Sequence, residues 1–99
     1  MTPETKVKND ILKYLSSLQK QGQPIFFERR QACGGNYKKG IPDIYAVYKG
    51  IHVEIEVKAE KGSLSAMQEK FAIFCRLNQV RWVCARSVDD VAEILDQIK

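Results

Sequence analysis

The chain has 99 residues, 44% of them hydrophobic and 28% charged, the size and composition of one small globular domain in which a single core must supply most of the stability. No stretch approaches the roughly 20 apolar residues a membrane-spanning helix needs, and residues 1–8 hold no apolar secretory run, so a soluble cytoplasmic protein is expected. A formal charge of +4 and a pI near 9.0 suit a polyanionic partner without requiring one, while the spacing of Cys33, Cys75, Cys84 and the single His52 excludes a paired zinc or redox motif.

In chain order, Thr2-Pro3-Glu4 reads as an N-cap followed by proline at the first helical position, and Val7, Ile11, Leu15 and Leu18 recur at three- and four-residue steps, predicting a helix over residues 3–19. Gly22 ends it. Residues 24–30, rich in aromatic and β-preferring side chains, predict a strand, and a loop with Gly34, Gly35 and Gly40 follows. Two alternating runs, 42–48 and 51–59, are separated only by Lys49-Gly50 and predict a two-residue hairpin. Ser63-Leu64-Ser65 opens a second helix with Leu64, Met67, Phe71, Phe74 and Cys75 as its apolar stripe, ending near Asn78. Residues 80–85 predict a buried strand, and Cys84, like Cys75, is expected in the core. Ser87 caps a last helix with Asp89 and Asp90 in its first turn and Val88, Val91, Ile94, Leu95 and Ile98 inward. The order αβββαβα predicts a mixed α/β fold, one sheet flanked by helices, in a single domain over residues 1–99.

The hairpin carries the chemistry. With Lys49 and Gly50 as the turn, Tyr48 pairs with Ile51 and, counting back along both strands, Asp43 falls opposite Glu56. This register puts Ile44, Ala46, Tyr48, Ile51, Val53, Ile55 and Val57 on one face, an apolar set that must face the core. The other face carries Asp43, Tyr45 and Val47 against His52, Glu54, Glu56 and Lys58. Opposed acids about 4.5–5.5 Å apart oppose folding, and a hard divalent cation offsets them, since Mg²⁺ accepts one or two carboxylates and takes its remaining oxygens from water and phosphate. Lys58 projects beside them, where an ammonium orients a nucleophile or steadies transition-state charge in phosphodiester hydrolysis. The alternative is a solvated hairpin face with no meaning in its register.

Ile41-Pro42-Asp43 followed by Glu56-Val57-Lys58 on the next strand resembles the PD-(D/E)xK nuclease superfamily. With Leu64-Ser65-Ala66-Met67-Gln68 downstream, nearly the whole chain resembles a stand-alone VRR-NUC (virus-type replication-repair nuclease) domain. The resemblance implies a restriction-endonuclease-like αβββαβ core, here with an extra C-terminal helix. It implies that Asp43, Glu56 and the Val57 carbonyl hold Mg²⁺ or Mn²⁺, that Lys58 positions or activates water, and that Gln68 supports the site. It also implies a likeness to Holliday-junction resolvases, which act as homodimers on branched DNA. The expected activity is a metal-dependent endonuclease, in a bacterial host cytoplasm if the chain is viral, with DNA as partner and no small-molecule cofactor. A junction-binding scaffold without turnover and a flap or linear-duplex nuclease are the alternatives.

Three further assignments, those of Glu4, Gln68 and the basic residues about the loop, have plainer readings beside them. Glu4 lies on the inward stripe of the first helix, where similar nucleases carry an acid near the metal; it also suits the helix dipole. Gln68 follows Ser65 at the spacing of a capping box, or supports the metal pocket from the same turn. His52 lies about 13 Å along the strand from Glu56 at 3.3 Å per residue and is excluded as a ligand, and Glu54 is the second-choice carboxylate should the register slip. Arg29, Arg30, Lys38 and Lys39 bracket the glycine-rich loop as DNA phosphate contacts or as a solvated loop, and Tyr37 is a candidate for stacking on an unpaired base.

Overall fold

The computed structural model describes residues 1–30 and 40–99. Among them the elements run α1 (Pro3–Lys20), β1 (Ile25–Arg29), β2 (Ile44–Tyr48), β3 (Ile51–Val57), α2 (Ala66–Leu77), β4 (Arg81–Ala85) and α3 (Val88–Asp96), the predicted order. Thr2 caps α1 by accepting the Thr5 N–H at 3.1 Å, with Pro3 in the first turn where its missing donor costs nothing. The strands lie in spatial order β1-β2-β3-β4. β1, β2 and β3 are successive antiparallel neighbours, and β4 returns through α2 to pair parallel with β3. No helix among the described residues is long and apolar enough to cross a membrane.

The hairpin register is the expected one: Tyr48 faces Ile51, Tyr45 faces Glu54 and Ile44 faces Ile55. Lys49 at φ +51° and Gly50 at φ +80° give the two positive angles a type I′ turn demands, so Lys49 accepts a left-handed backbone that the twist of the strands imposes. The pleat then sorts the side chains. Ile44, Ala46, Val53, Ile55 and Val57 are fully buried together with Ile11 and Leu15 of α1, Ala85 of β4 and Val91 of α3, each large aliphatic contributing about 1.5–3 kcal/mol. Ile51, expected in this core, is exposed at the hairpin tip, beyond the cover of α1 and α3.

α2 lies on the opposite face, where Gln68 reaches Glu56. Its stripe departs from expectation: Cys75 is buried, but Met67 and Phe74 are about half exposed, as is Ile73, and Leu77 more so. The face beneath is largely polar, so among the described residues it gives these side chains little apolar surface to cover. Cys84 is half-buried and stands beside Glu56 on β4, outside the aliphatic core. Ser87 occupies the N-cap of α3 without a side-chain cap bond; the Asp90 carboxylate instead accepts the Arg86 N–H at 2.8 Å.

Candidate active site

At its two glutamates the polar face of the hairpin is not solvated, although His52 near the turn is exposed. Glu54 and Glu56 are 3% and 2% exposed, nearly as deeply placed as Val53, Ile55 and Val57, with which they alternate. α2 covers them from one side, and β4 continues the sheet beside them. Asp43, just before β2, is held at its backbone by the Arg30 N–H, which donates to its carbonyl at 2.7 Å, and at its side chain by the Val57 N–H, which donates to Oδ2 at 3.3 Å. A strand residue directs its N–H and C=O to the same side, so the Val57 carbonyl is directed to the β2 edge of β3, as its N–H is. Gly40 makes this approach possible. Its φ is +88°, and a Cβ there would lie 2.7 Å from the Met67 carbonyl oxygen, so the chain entering Pro42-Asp43 passes directly over the first turn of α2.

Glu56 is the electrostatic centre. Burial first and the Asp43 carboxylate second push its pKa from the usual 4.5 up to about 8, with a hydrogen bond to Asp43 and the charge of Glu4 adding to the rise and Lys58 opposing it. Asp43, Lys58 and Glu4 are therefore all close enough to Glu56 for their charges to act on it. Once Glu56 is ionised, its buried Oε1 has no donor among the described residues, a costly state for a carboxylate oxygen. Its other oxygen accepts from Gln68 Nε2 at 3.3 Å.

Gln68 makes contacts in two directions. Its Oε1 accepts the Ser65 N–H at 2.9 Å and its own N–H donates to Ser65 Oγ at 3.2 Å, completing a capping box, which leaves the amide nitrogen aimed at Glu56. One turn earlier in the chain, the loop from Lys58 to Ser65 is fixed by Arg86, whose Nη1 donates to the carbonyls of Ala59, Glu60 and Gly62 at 2.7, 3.1 and 2.6 Å. That clamp has no sequence signal, because Arg86 lies 24 or more residues beyond the carbonyls it holds.

Arg29 and Arg30 do not share a face of the sheet. Arg29 is the partner of Ile44 on the core face and Glu28 of Tyr45 on the other, so adjacent arginines at the end of β1 project to opposite sides of the sheet. Arg30 shares the face of Asp43, where its Nη1 and Nη2 grip both oxygens of Glu54 at 2.6 and 2.9 Å and Nη1 also donates to the Pro42 carbonyl at 3.0 Å. His52 Nε2 lies 2.7 Å from Glu54 Oε2, and the guanidinium stacks over Tyr45 at 4.8 Å. Glu54 is thereby committed to a buried ion pair. Lys38, Lys39 and Tyr37 lie outside the described residues.

Among the described residues no three His, Cys, Asp or Glu side chains converge on one point. The available donors are two carboxylates and a carbonyl, all hard oxygens, with one oxygen lacking a donor; this set fits a cation that keeps several waters and does not fit zinc.

The chain is similar in structure to a solved VRR_NUC domain, with a TM-score of 0.76 over 100% of both chains at 17% sequence identity. No family model and no curated protein matches the sequence. The likeness spans the full length of both chains, and the mixed α/β fold of that domain is the fold of this chain.

Proposed function

We propose that this chain, which has the fold of a VRR_NUC domain, is a divalent-cation-dependent nuclease that hydrolyses DNA phosphodiester bonds, prefers branched DNA and acts as a homodimer. The observation that carries the reading is Glu56, buried to 2% exposure against the Asp43 carboxyl with an oxygen that no described group satisfies. Two ionised acids in one low-dielectric site weaken the fold, and either a retained proton or a bound cation relieves them. Preference for branched DNA and the dimer follow the resemblance to Holliday-junction resolvases.

Asp43, Glu56 and the Val57 carbonyl would hold Mg²⁺ or Mn²⁺. Such an ion, when bound, supplies charge to the phosphate and acidifies a water. The remaining work falls to the chain's own groups. The Lys58 ammonium donates to the attacking water or a phosphate oxygen and offsets charge as it develops. Gln68 Nε2 fixes the orientation of the Glu56 carboxylate, and Glu4 adds negative field that strengthens the demand for a cation. Arg29, exposed at the end of β1 on the other face of the sheet, is proposed as a phosphate contact together with Lys38 and Lys39.

The test is to incubate the protein with a labelled four-way junction, a flap and a linear duplex, with Mg²⁺, Mn²⁺ or EDTA, beside Asp43→Asn. Cation-dependent cutting, strongest on the junction and lost in the variant, is the expected result. Junction binding without cutting under either ion would identify a scaffold, and equal cutting of all three DNAs would remove the branched preference. Sedimentation of the same sample checks the dimer.

A further inference from the structure

Arg30 stands one pleat away from the opposed acids, at the end of the strand beside β2, and the sequence alone offers it as a DNA phosphate contact. Its geometry is different. The backbone N–H of Arg30 holds the Asp43 carbonyl at 2.7 Å and its Nη1 holds the preceding carbonyl, that of Pro42, at 3.0 Å. One residue therefore grips two successive carbonyls on either side of the Asp43 Cα. The guanidinium is itself fixed from behind by both oxygens of Glu54, which is 3% exposed, and from its flat side by Tyr45. A planar fork held at two oxygens and stacked on a ring has little freedom to swing towards a ligand.

We infer that Arg30 is a positioning residue, held by Glu54, that sets the Asp43 carboxylate opposite Glu56 and so fixes the spacing of the proposed cation ligands. The inference rests on the nuclease reading for its effect on cation binding, but its structural half does not. Asp43 precedes the first residue of β2, so the strand ladder alone does not define its backbone, and a shift of Pro42-Asp43 would also break the bond from the Val57 N–H to Asp43 Oδ2. Glu54 is kept from acting as a competing third acid by the same contact, because both its oxygens are occupied. Outer-shell groups of this kind commonly change metal affinity or activity by about 10–100-fold.

The test compares wild type with Arg30→Lys, which keeps the charge but not the fork. Hydrogen exchange of the Val57 amide is followed by NMR relative to the Val53 and Ile55 amides of the same strand, a ratio that cancels global stability. In parallel, the Mn²⁺ concentration for half-maximal cleavage is measured, along with DNA affinity as a function of salt. The expected result is Val57 exchange accelerated about tenfold in ratio and a cation requirement raised about 10–100-fold, with DNA affinity and its salt slope unchanged. An unchanged exchange ratio overturns the inference, as does an unchanged cation requirement accompanied by weaker DNA binding and a salt slope reduced by about one, the mark of a phosphate contact. Should Arg30→Lys fail to fold, the double variant Arg30→Met with Glu54→Gln removes the buried charge pair together and carries the same readouts. If wild type neither binds Mn²⁺ nor cuts DNA, the nuclease reading falls by itself, and the exchange ratio still decides whether Arg30 positions Asp43.

Discussion

β3 buries two glutamates on one face, two residues apart, and they live under opposite electrostatic terms. Glu54 is 3% exposed and fully partnered: Arg30 takes both oxygens and His52 approaches one of them. Glu56 is 2% exposed, meets another carboxyl, and keeps an oxygen without a donor. Burial is the same and composition is the same, so neither distinguishes a structural acid from a working one. What separates them is the sign of the nearest neighbour: a cation closes the account at Glu54, whereas Asp43 leaves Glu56 with a demand for positive charge that this chain's own Lys58 meets only in part.

The largest test of that contrast is the matched pair Glu56→Gln and Glu54→Gln. Both changes are nearly isosteric and remove one charge. Glu56→Gln is expected to lower DNA cleavage on the order of 10³-fold, the scale for loss of a group that anchors transition-state charge, while Glu54→Gln stays within about tenfold of wild type because its amide oxygen still accepts from Arg30. Comparable losses in the two variants, measured as single-turnover rates at saturating Mn²⁺, would erase the distinction drawn between them.

A smaller effect appears in stability against pH for the cation-free protein. The folded state holds Glu56's proton up to about pH 8, whereas the unfolded chain releases it near 4.5. The stabilisation from that retained proton is therefore complete below about 4.5 and is lost as pH rises through about 8. Urea denaturation in EDTA should show wild type losing on the order of 1–3 kcal/mol between pH 5 and pH 9 relative to Glu56→Gln. Mn²⁺ at the alkaline end should restore wild type and leave the variant unmoved. A flat difference curve would mean that Asp43 and Glu56 are not competing for a proton.

Much of this arrangement was open to a reading of the residues because the hairpin is short. A two-residue turn ties the pairing of Asp43 with Glu56 to the apolar partners Ile44 and Ile55, and burying those partners admits only one register. The roles of Glu54 and Arg30 were not open in the same way. Their contact crosses from β1 to β3 over β2, and the segment between β1 and β2 gives no count that fixes which residue of one faces which residue of the other. The same limit applies to α2: three- and four-residue spacing marks a stripe, but only the polar face beneath it explains why Met67 and Phe74 are left half exposed. Arg86 was invisible for the plainest reason, since a side chain that binds carbonyls leaves no pattern in the residues that own them.

Gln68 offers the finest resolution of the contrast, because each end of one amide serves a different task. Its oxygen caps α2 through the Ser65 N–H and its nitrogen donates to Glu56. Gln68→Ala removes both and should cost about 1 kcal/mol, the usual worth of a helix cap. Gln68→Glu separates them: a glutamate at this position completes a capping box as well as glutamine does, so the helix terminus is kept, but an acceptor now faces Glu56 where a donor stood. At pH 9 in EDTA, Gln68→Glu should therefore be less stable than wild type by about 1 kcal/mol, with the deficit shrinking as pH falls and the carboxyls take up protons. Added Mn²⁺ should also shrink it, since a cation that satisfies Glu56 satisfies the new neighbour as well. If Gln68→Glu matches wild type across this range, the amide serves only the helix, and the ring of groups that define the acidic site closes without it.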